Sequence, residues 1–438
     1  MNRKVFISFL GTSDYLETHY TFESRYISRP VRFIQEAAVE YLASDWNEDD
    51  AIMIFTTESS RERNWIDNGH GADKERKGLR SCLLDLGLKV PIYDYDIPEG
   101  FNEKEIWDIF DIVYSKLEEG DIVFFDVTHA FRSIPLFSTV LFNYARFMKG
   151  ISIESVIYGS FETLGTVSFV KENIPVDQRY APVINLTGLL KLQQFTEIAS
   201  GLDNFGRVSH NEINEYVENS AGAKYQSTLS RMSDALRDFD NAMTSNNMEV
   251  LKNGKYYRQF TTFLKKLKNE SIPKPLLDIL ERLDRNFSGF SLRENSWQNV
   301  DAAIRWAAKY RMLPLAYTLA RESISSRLAE MFIDRSPYSN KEFLKFKEYM
   351  SALCSVREEN IMNGRLVGAL KEYESLTNDL LASETIKKIR CYYSIIADNR
   401  NTINHGQSKK SYFDLCQEFE NAFENAFENC VAVLNEEV

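Results

Sequence analysis

Two hydrophobic periods divide the chain. From residue 4 onward, short apolar runs rich in β-branched and aromatic residues alternate with segments whose apolar positions recur at helical spacing. Residues 5–10, 51–55, 90–95, 122–126 and 151–158 are predicted strands. They are largely continuous apolar runs, so most are expected to be buried on both faces, as in parallel sheets. Between them, Ser28 and Pro30 open a predicted helix that runs through Leu42. Ile106, Phe110, Val113 and Leu117 mark a second helix that closes before Gly120, and 136–148 reads as a third. Strand, helix and strand in succession predict right-handed crossovers and a mostly parallel Rossmann-like sheet. Residues 166–170 are expected to add an edge strand, with Pro175 and Pro182 marking an extended connection. From Leu186 onward helical periodicity takes over: Leu189, Leu192, Phe195 and Ile198 share one face, and Gly206 is the expected helix stop. Residues 220–290 read as charged and helical with breaks at Pro273 and Pro275, 297–329 as a helix pair, and Phe419, Phe423 and Phe427 as the buried face of a final helix. The expected fold class is α/β plus all-α. It comprises a sheet domain over 1–184, a helical connecting region over 185–290 and a helical domain over 291–438.

In such sheets ligands sit beyond the carboxyl ends of the strands, so the segments after the first and fourth strands are the ones to search for chemistry. The first is Gly11-Thr12-Ser13-Asp14-Tyr15, a small hydroxyl-rich turn able to offer donors to a phosphate. The second is Asp126-Val127-Thr128-His129-Ala130-Phe131-Arg132, in which Thr128 and His129 donate hydrogen bonds and Arg132 clamps a phosphate. Taken alone, the same residues also read as a turn cap at Asp126 and a satisfied core histidine at His129. There is no G-x-G-x-x-G and no P-loop, which disfavours a dinucleotide cofactor or a nucleoside triphosphate.

A third stretch lies near the C-terminus. Ile386, Ile389, Tyr393, Ile396 and Ile403 recur at helical spacing, so Arg400 and Asn401 fall in the last turns of an amphipathic helix that Gly406 is expected to end, with His405 at its C-terminus. There the macrodipole favours an imidazolium, and Arg400 offers a fixed fork of donors to a phosphate. A ribose 2′-OH attacking its own phosphate needs only proton transfer and charge stabilisation, which a His and an Arg supply without metal. On spacing alone, an ordinary helix end beside a solvated Arg fits equally well.

Composition narrows these readings. A net charge of -12 repels nucleic acid at long range, so any RNA contact must be local, with Lys387, Lys388, Arg390, Lys409 and Lys410 as candidate sources of positive field. The 5 Cys form no C-x-x-C and suggest neither a disulfide framework nor a zinc site, and the 5 His are scattered, so no metal is expected. The N-terminal apolar run is too short for a signal segment or a membrane span, and a cytoplasmic protein with no membrane partner is expected.

Two motifs carry a family resemblance. Asp126-Val127-Thr128-His129-Ala130 resembles the D-x-T-H-G motif of CRISPR-associated CARF domains, Rossmann-like sensors of cyclic oligoadenylate. Phe9 through Tyr15, Phe33 through Ala37, Phe55 through Glu58 and Asn64-Trp65 resemble the same family's first two strands and adjoining segments. Arg400-Asn401, three residues and His405 resemble the R-polar-x3-H signature of HEPN ribonucleases, and 315–322 resembles that fold's first helices. The family carries the two domains in this order. The resemblance implies a type III CRISPR antiviral endoribonuclease, active without metal or cofactor on single-stranded RNA and leaving 2′,3′-cyclic phosphate ends. Cyclic oligoadenylate, with the tetra-adenylate as the implied ring, would activate it through a homodimer or higher assembly. It further implies Arg400 and His405 as catalytic residues with Asn401 orienting them, and Gly11, Thr12, Ser13, Asp126, Thr128, His129, Ala130 and Arg132 as ligand-binding residues. One departure is that Ala130 replaces the motif's glycine. Two other readings stay open: a non-catalytic regulator that binds a cyclic nucleotide, and a sensor that cleaves its own ligand with Ser13, Thr128 and His129.

Overall fold

The computed structural model describes the chain apart from residues 1, 24–25, 71–75, 130–133, 210–212, 214–225, 271, 335, 406–411 and 437–438, and apart from the side chains of 134–135, 340, 405 and 412–416. It divides into two compact units, Met1–Gln193 and Gln194–Val438.

The first unit is a sheet of eight strands, β1 (Lys4–Phe9), β2 (His19–Phe22), β3 (Tyr26–Ile27), β4 (Ala51–Thr56), β5 (Ile92–Asp96), β6 (Ile122–Asp126), β7 (Ser152–Gly159) and β8 (Tyr180–Asn185), in the order β3-β2-β8-β7-β6-β1-β4-β5. The pairs β1–β4, β1–β6, β4–β5, β6–β7 and β2–β8 are parallel, while β2–β3 and β7–β8 are antiparallel. Period-two alternation on β1 assigns each side chain to one of two cores. Phe6, with Ile52 and Ile54 of β4, packs under Ile34, Val39 and Leu83 from the helices Ile34–Leu42 and Leu79–Asp85. Val5, Ile7 and Phe9 join Met53, Phe55, Val123 and Phe125 under Ile109, Val113, Phe142 and Ala145 from the helices Glu103–Lys116 and Ile134–Lys149. Burial on both faces is what continuous apolar strands require. After β2 and β3 at the far edge, the chain adds β4 and β5 on one side of β1 and then β6 and β7 on the other. The order of the central strands therefore reverses between β1 and β6, and the carboxyl ends of those two strands flank the switch point.

The left part of the sheet departs from the sequence reading. Residues 166–170 are not a strand: they enter the helix Val167–Asn173, where the Thr166 side chain accepts from the Phe169 N–H at 3.3 Å. The strand lies instead at β8, inside the expected extended connection. Pro182 argues against an interior strand because it has no N–H to give, yet its carbonyl accepts from Ser160 N at 2.9 Å and β8 pairs on both sides. Strands β2 and β3 are too short to leave a periodic signal. The first crossover helix begins at Ile34, later than Ser28 and Pro30 suggest, because Thr18 and Val31 exchange a pair of backbone hydrogen bonds before it starts.

The second unit is helical. Gly206 follows the helix Thr187–Phe205 with φ 68, the left-handed conformation expected of a glycine stop. In 220–290, read as charged and helical, Phe239, Tyr256, Phe287 and Phe290 gather against Trp306 as an aromatic core. The expected pair is present as Trp297–Lys309 and Leu313–Phe332. The helix Glu384–His405 packs against Leu313–Phe332, Asn340–Ser355 and the final helix Tyr412–Glu436. Its Ile386, Ile389, Tyr393 and Ile396 are fully buried, and Phe423 and Phe427 are buried on the final helix. The Tyr393 hydroxyl lies 2.8 Å from both Ser325 Oγ and Ser351 Oγ, pinning three helices at one polar point.

Candidate functional site

The β1–β6 register places Ser8 directly beside Asp126. Asp126 is buried, and its carboxylate accepts from Ser8 Oγ at 2.8 Å, from the Thr128 N–H at 3.0 Å and from Thr128 Oγ1. Thr128 Oγ1 in turn accepts from Gly159 N at 2.8 Å, which ties the segment to the end of β7. On the other side Gln35, fully buried at the start of the first crossover helix, donates to Ser8 Oγ and to the Phe9 carbonyl at 3.1 and 3.3 Å. Asp126 is therefore the keystone of a polar network that sets where both loops leave the sheet. Burial pushes its carboxyl up from the usual range, against the pull of its three donors.

The two loops touch. A Cβ on Gly11 would lie 3.3 Å from both the Cβ and the carbonyl of His129 and would collide with the Tyr15 hydroxyl, so a larger residue would push Tyr15 aside where the loops close on each other. Tyr15 packs against His129 with ring centroids 4.1 Å apart and the planes tilted by 31°. The turn itself is stapled by Asn64, whose Nδ2 donates at 2.9 Å to the carbonyls of both Gly11 and Ser13. Asn64 sits in a single π-helical turn, Arg61–Trp65, a distortion that re-aims side chains and recurs at functional sites. Thr12 is half-buried and Ser13 exposed at this edge. His129 is half-buried, but its Nε2 has no exposed surface and no partner among the described residues, and burial lowers its pKa to about 3. The imidazole is neutral at physiological pH. Ala130 and Arg132 lie outside the described residues.

Of the expected ligand-binding set, Gly11, Thr12, Ser13, Asp126, Thr128 and His129 thus gather at one edge. Tyr15, Gln35 and Asn64 join them, although sequence reasoning gave them no role. Their signal was position alone, since each lies in a stretch quoted for the family resemblance, and only the fold turns position into contact.

In the helical unit, Arg400 is half-buried and Asn401 exposed. Arg400 Nη1 donates to Asn401 Oδ1 at 3.3 Å, and Arg400 Nε has no exposed surface and no partner among the described residues. Neighbouring groups hold the backbone there: Asn399 Nδ2 donates to the Tyr317 hydroxyl at 3.1 Å, and that hydroxyl donates to the Phe419 carbonyl at 2.7 Å. His405 is the last residue of the helix, while its side chain and Gly406, Lys409 and Lys410 lie outside the described residues. Of the catalytic set, Arg400 and Asn401 are in contact.

With this geometry in view, comparison with known proteins adds one relative. The chain is 23% identical over 265 residues to CRISPR-associated protein MJ1674 of Methanocaldococcus jannaschii. The match takes in 59% of this chain and only 37% of that protein's length. No family model matches. Among the described residues no helix is long and apolar enough to cross a membrane.

Proposed function

We propose that the protein is a ligand-activated endoribonuclease of CRISPR defence, in which the β1–β6 edge binds a cyclic oligoadenylate and Arg400, Asn401 and His405 cut single-stranded RNA. The observation that carries this reading is the meeting of Gly11–Ser13 with Asp126–His129 at the switch point of a parallel sheet, where α/β folds bind ligands. The named relative supports the CRISPR setting.

For the cut, Arg400 stabilises charge developing on the phosphate, His405 moves a proton to or from the 2′-OH or the leaving 5′-oxygen, and Asn401 orients the guanidinium. The half-buried guanidinium of Arg400, whose Nε has no partner among the described residues, is a donor group that an anion would help to satisfy. Residues five apart on a helix are separated by about 140° and are not helical neighbours. A second copy of the chain would bring the complementary group to one phosphate, which is why the active species is proposed to be a dimer. Unpaired RNA is the substrate because its nucleotides can reach the in-line geometry that 2′-OH attack requires.

The test is cleavage of a labelled single-stranded RNA with and without cyclic tri-, tetra- and hexa-adenylate. Cleavage stimulated by one ring, persisting in EDTA and leaving 2′,3′-cyclic phosphate, is expected. Binding of a ring without any cleavage would favour the regulator, and hydrolysis of the ring at the sheet edge would favour a self-limiting sensor.

A further inference from the structure

Beside the Gly11–Ser13 turn lies a group of cations that no motif announced. Arg32 stands just before the first crossover helix with its guanidinium 4.4 Å from the Phe33 ring, and Nη2 donates to the Lys77 carbonyl at 2.6 Å. Phe33 meets Tyr15 edge-on at 5.9 Å, and Tyr15 meets His129, so ring contacts run unbroken from the β6 loop to Arg32. Arg76 pairs with Asp14 and also reaches the Tyr15 carbonyl at 3.5 Å. His70 is half-buried between these groups. Its Nε2 and the Nε of Arg32 have no exposed surface and no partner among the described residues.

The cations act on one another. Arg76, Arg63 and Arg32 all act on His70, Arg76 acts on Arg32, and Lys171 from the helix Val167–Asn173 acts on Asp14. Burial, with Arg76 beside it, lowers the pKa of Arg32, and burial also lowers that of His70, which keeps its ring neutral. Among the described residues, Asp14 and Glu17 are the carboxylates that act on Arg32. Asp14 is held below its usual range, first by the hydrogen bond from Arg76. Half exposed, it lies over an Arg76 side chain that is only 19% exposed. The chain carries net charge -12, so a group of cations beside the glycine turn runs against its overall sign. A guanidinium such as that of Arg32, with its Nε lacking a partner among the described residues, costs free energy that an anion drawn to the group would in part recover.

We propose that Arg32 and Arg76, with Arg63 and Lys171 nearby, form the seat for a phosphodiester group of the ligand at the β1–β6 edge, and that Asp14 fills this seat as an internal stand-in until the ligand displaces it. This rests on the sensor reading above and assigns its phosphate recognition to residues outside both motifs. The exchange swaps one anion for another at a guanidinium that is already positioned, so Arg76 gives up no hydrogen bond. Asp14 then swings to solvent, and the turn that carries it becomes the part of the sensor that reports occupancy.

The experiment is calorimetric titration of the full chain with cyclic tri-, tetra- and hexa-adenylate, using wild type, Asp14→Asn, Arg76→Ala and the double variant. Asp14→Asn removes the competitor and should tighten binding about 5-fold, whereas Arg76→Ala should weaken it about 10-fold, within the usual range for a charged contact. Asp14 acts through Arg76, so its effect should vanish in the double variant, a coupling that a merely structural role would not produce. If Arg76→Ala does not fold, Arg32→Gln replaces it in the same cycle. A ring that binds wild type and all variants equally would overturn the phosphate seat and leave the sensor reading standing. Failure of every ring to bind wild type would remove both.

Discussion

The sheet edge and the Arg400 helix meet their polar groups in opposite ways. At the edge, Asp126 alone gathers three donors, Gln35 and Asn64 each tie two acceptors, and Gly11 is fixed by close approach. Beside Arg400 the helix is tied to its neighbours by Asn399 and Tyr317, but among the described residues the guanidinium has one long bond to an exposed neighbour. The described residues of the first region are tied together within one chain, so they serve the fold as well as the proposed site. The second keeps the side chain proposed to act on RNA nearly free of structural duty among the described residues, which is what the proposal requires of a group whose partner arrives with a substrate or a second copy. Substitutions at the edge should therefore cost stability, and those at Arg400 only activity.

The largest expected effect is on catalysis. Arg400→Ala should lower RNA cleavage by about 10²–10³-fold, the usual loss on removing a transition-state donor. The thermal midpoint should stay within about 2 °C, because only the Asn401 bond is lost. A variant that melts much earlier, or cuts within threefold of wild type, would erase the contrast.

Asp126→Ala should do the reverse. It leaves Ser8 Oγ and the Thr128 N–H without their buried acceptor, at a cost of about 2–4 kcal/mol. Urea unfolding followed by a probe in residues 1–193 reads this directly, and a loss under about 0.5 kcal/mol would mean that the network does not hold the loops.

The pH response sharpens the same comparison. His129 has its folded pKa lowered to about 3, while an unfolded histidine titrates near 6.5. Below pH 6.5 the unfolded chain binds a proton that the folded one refuses, so ν_U exceeds ν_N and stability rises with pH across this window. The contribution is fully present above pH 6.5 and is lost as pH falls toward 3, by up to about 1.4 kcal/mol per pH unit. His129→Gln should flatten that part of the urea-midpoint profile, and an unchanged slope between pH 4 and 6.5 would contradict a buried neutral ring.

The smallest effect tests the helix found where a strand was expected. Thr166→Ala removes the side-chain acceptor for Phe169 N and should cost about 0.5–1 kcal/mol, whereas a strand would not notice its loss. Amide exchange at Phe169 would show the cap released.

What the sequence determined by itself was whatever repeats or runs continuously. Apolar runs such as Ile52 through Phe55 have one way to hide both faces, which identified the parallel core, and the helical spacing of Ile386, Ile389, Tyr393 and Ile396 identified the face that the Arg400 helix buries. The loops after β1 and β6 were legible as candidates because strand ends are where such sheets bind. Tertiary structure decided the rest. Pro182 sits in an interior strand because its carbonyl still accepts from Ser160 and the residues around it pair on both sides, although its ring gives no N–H, and Thr166 caps a helix because the chain has already left the sheet there. Contacts such as Gly11 with His129, Asn64 with Ser13 and Arg76 with Asp14 join residues 51 to 118 positions apart. No local period encodes such pairs, because they form only when strand order and register bring separate loops to the same edge.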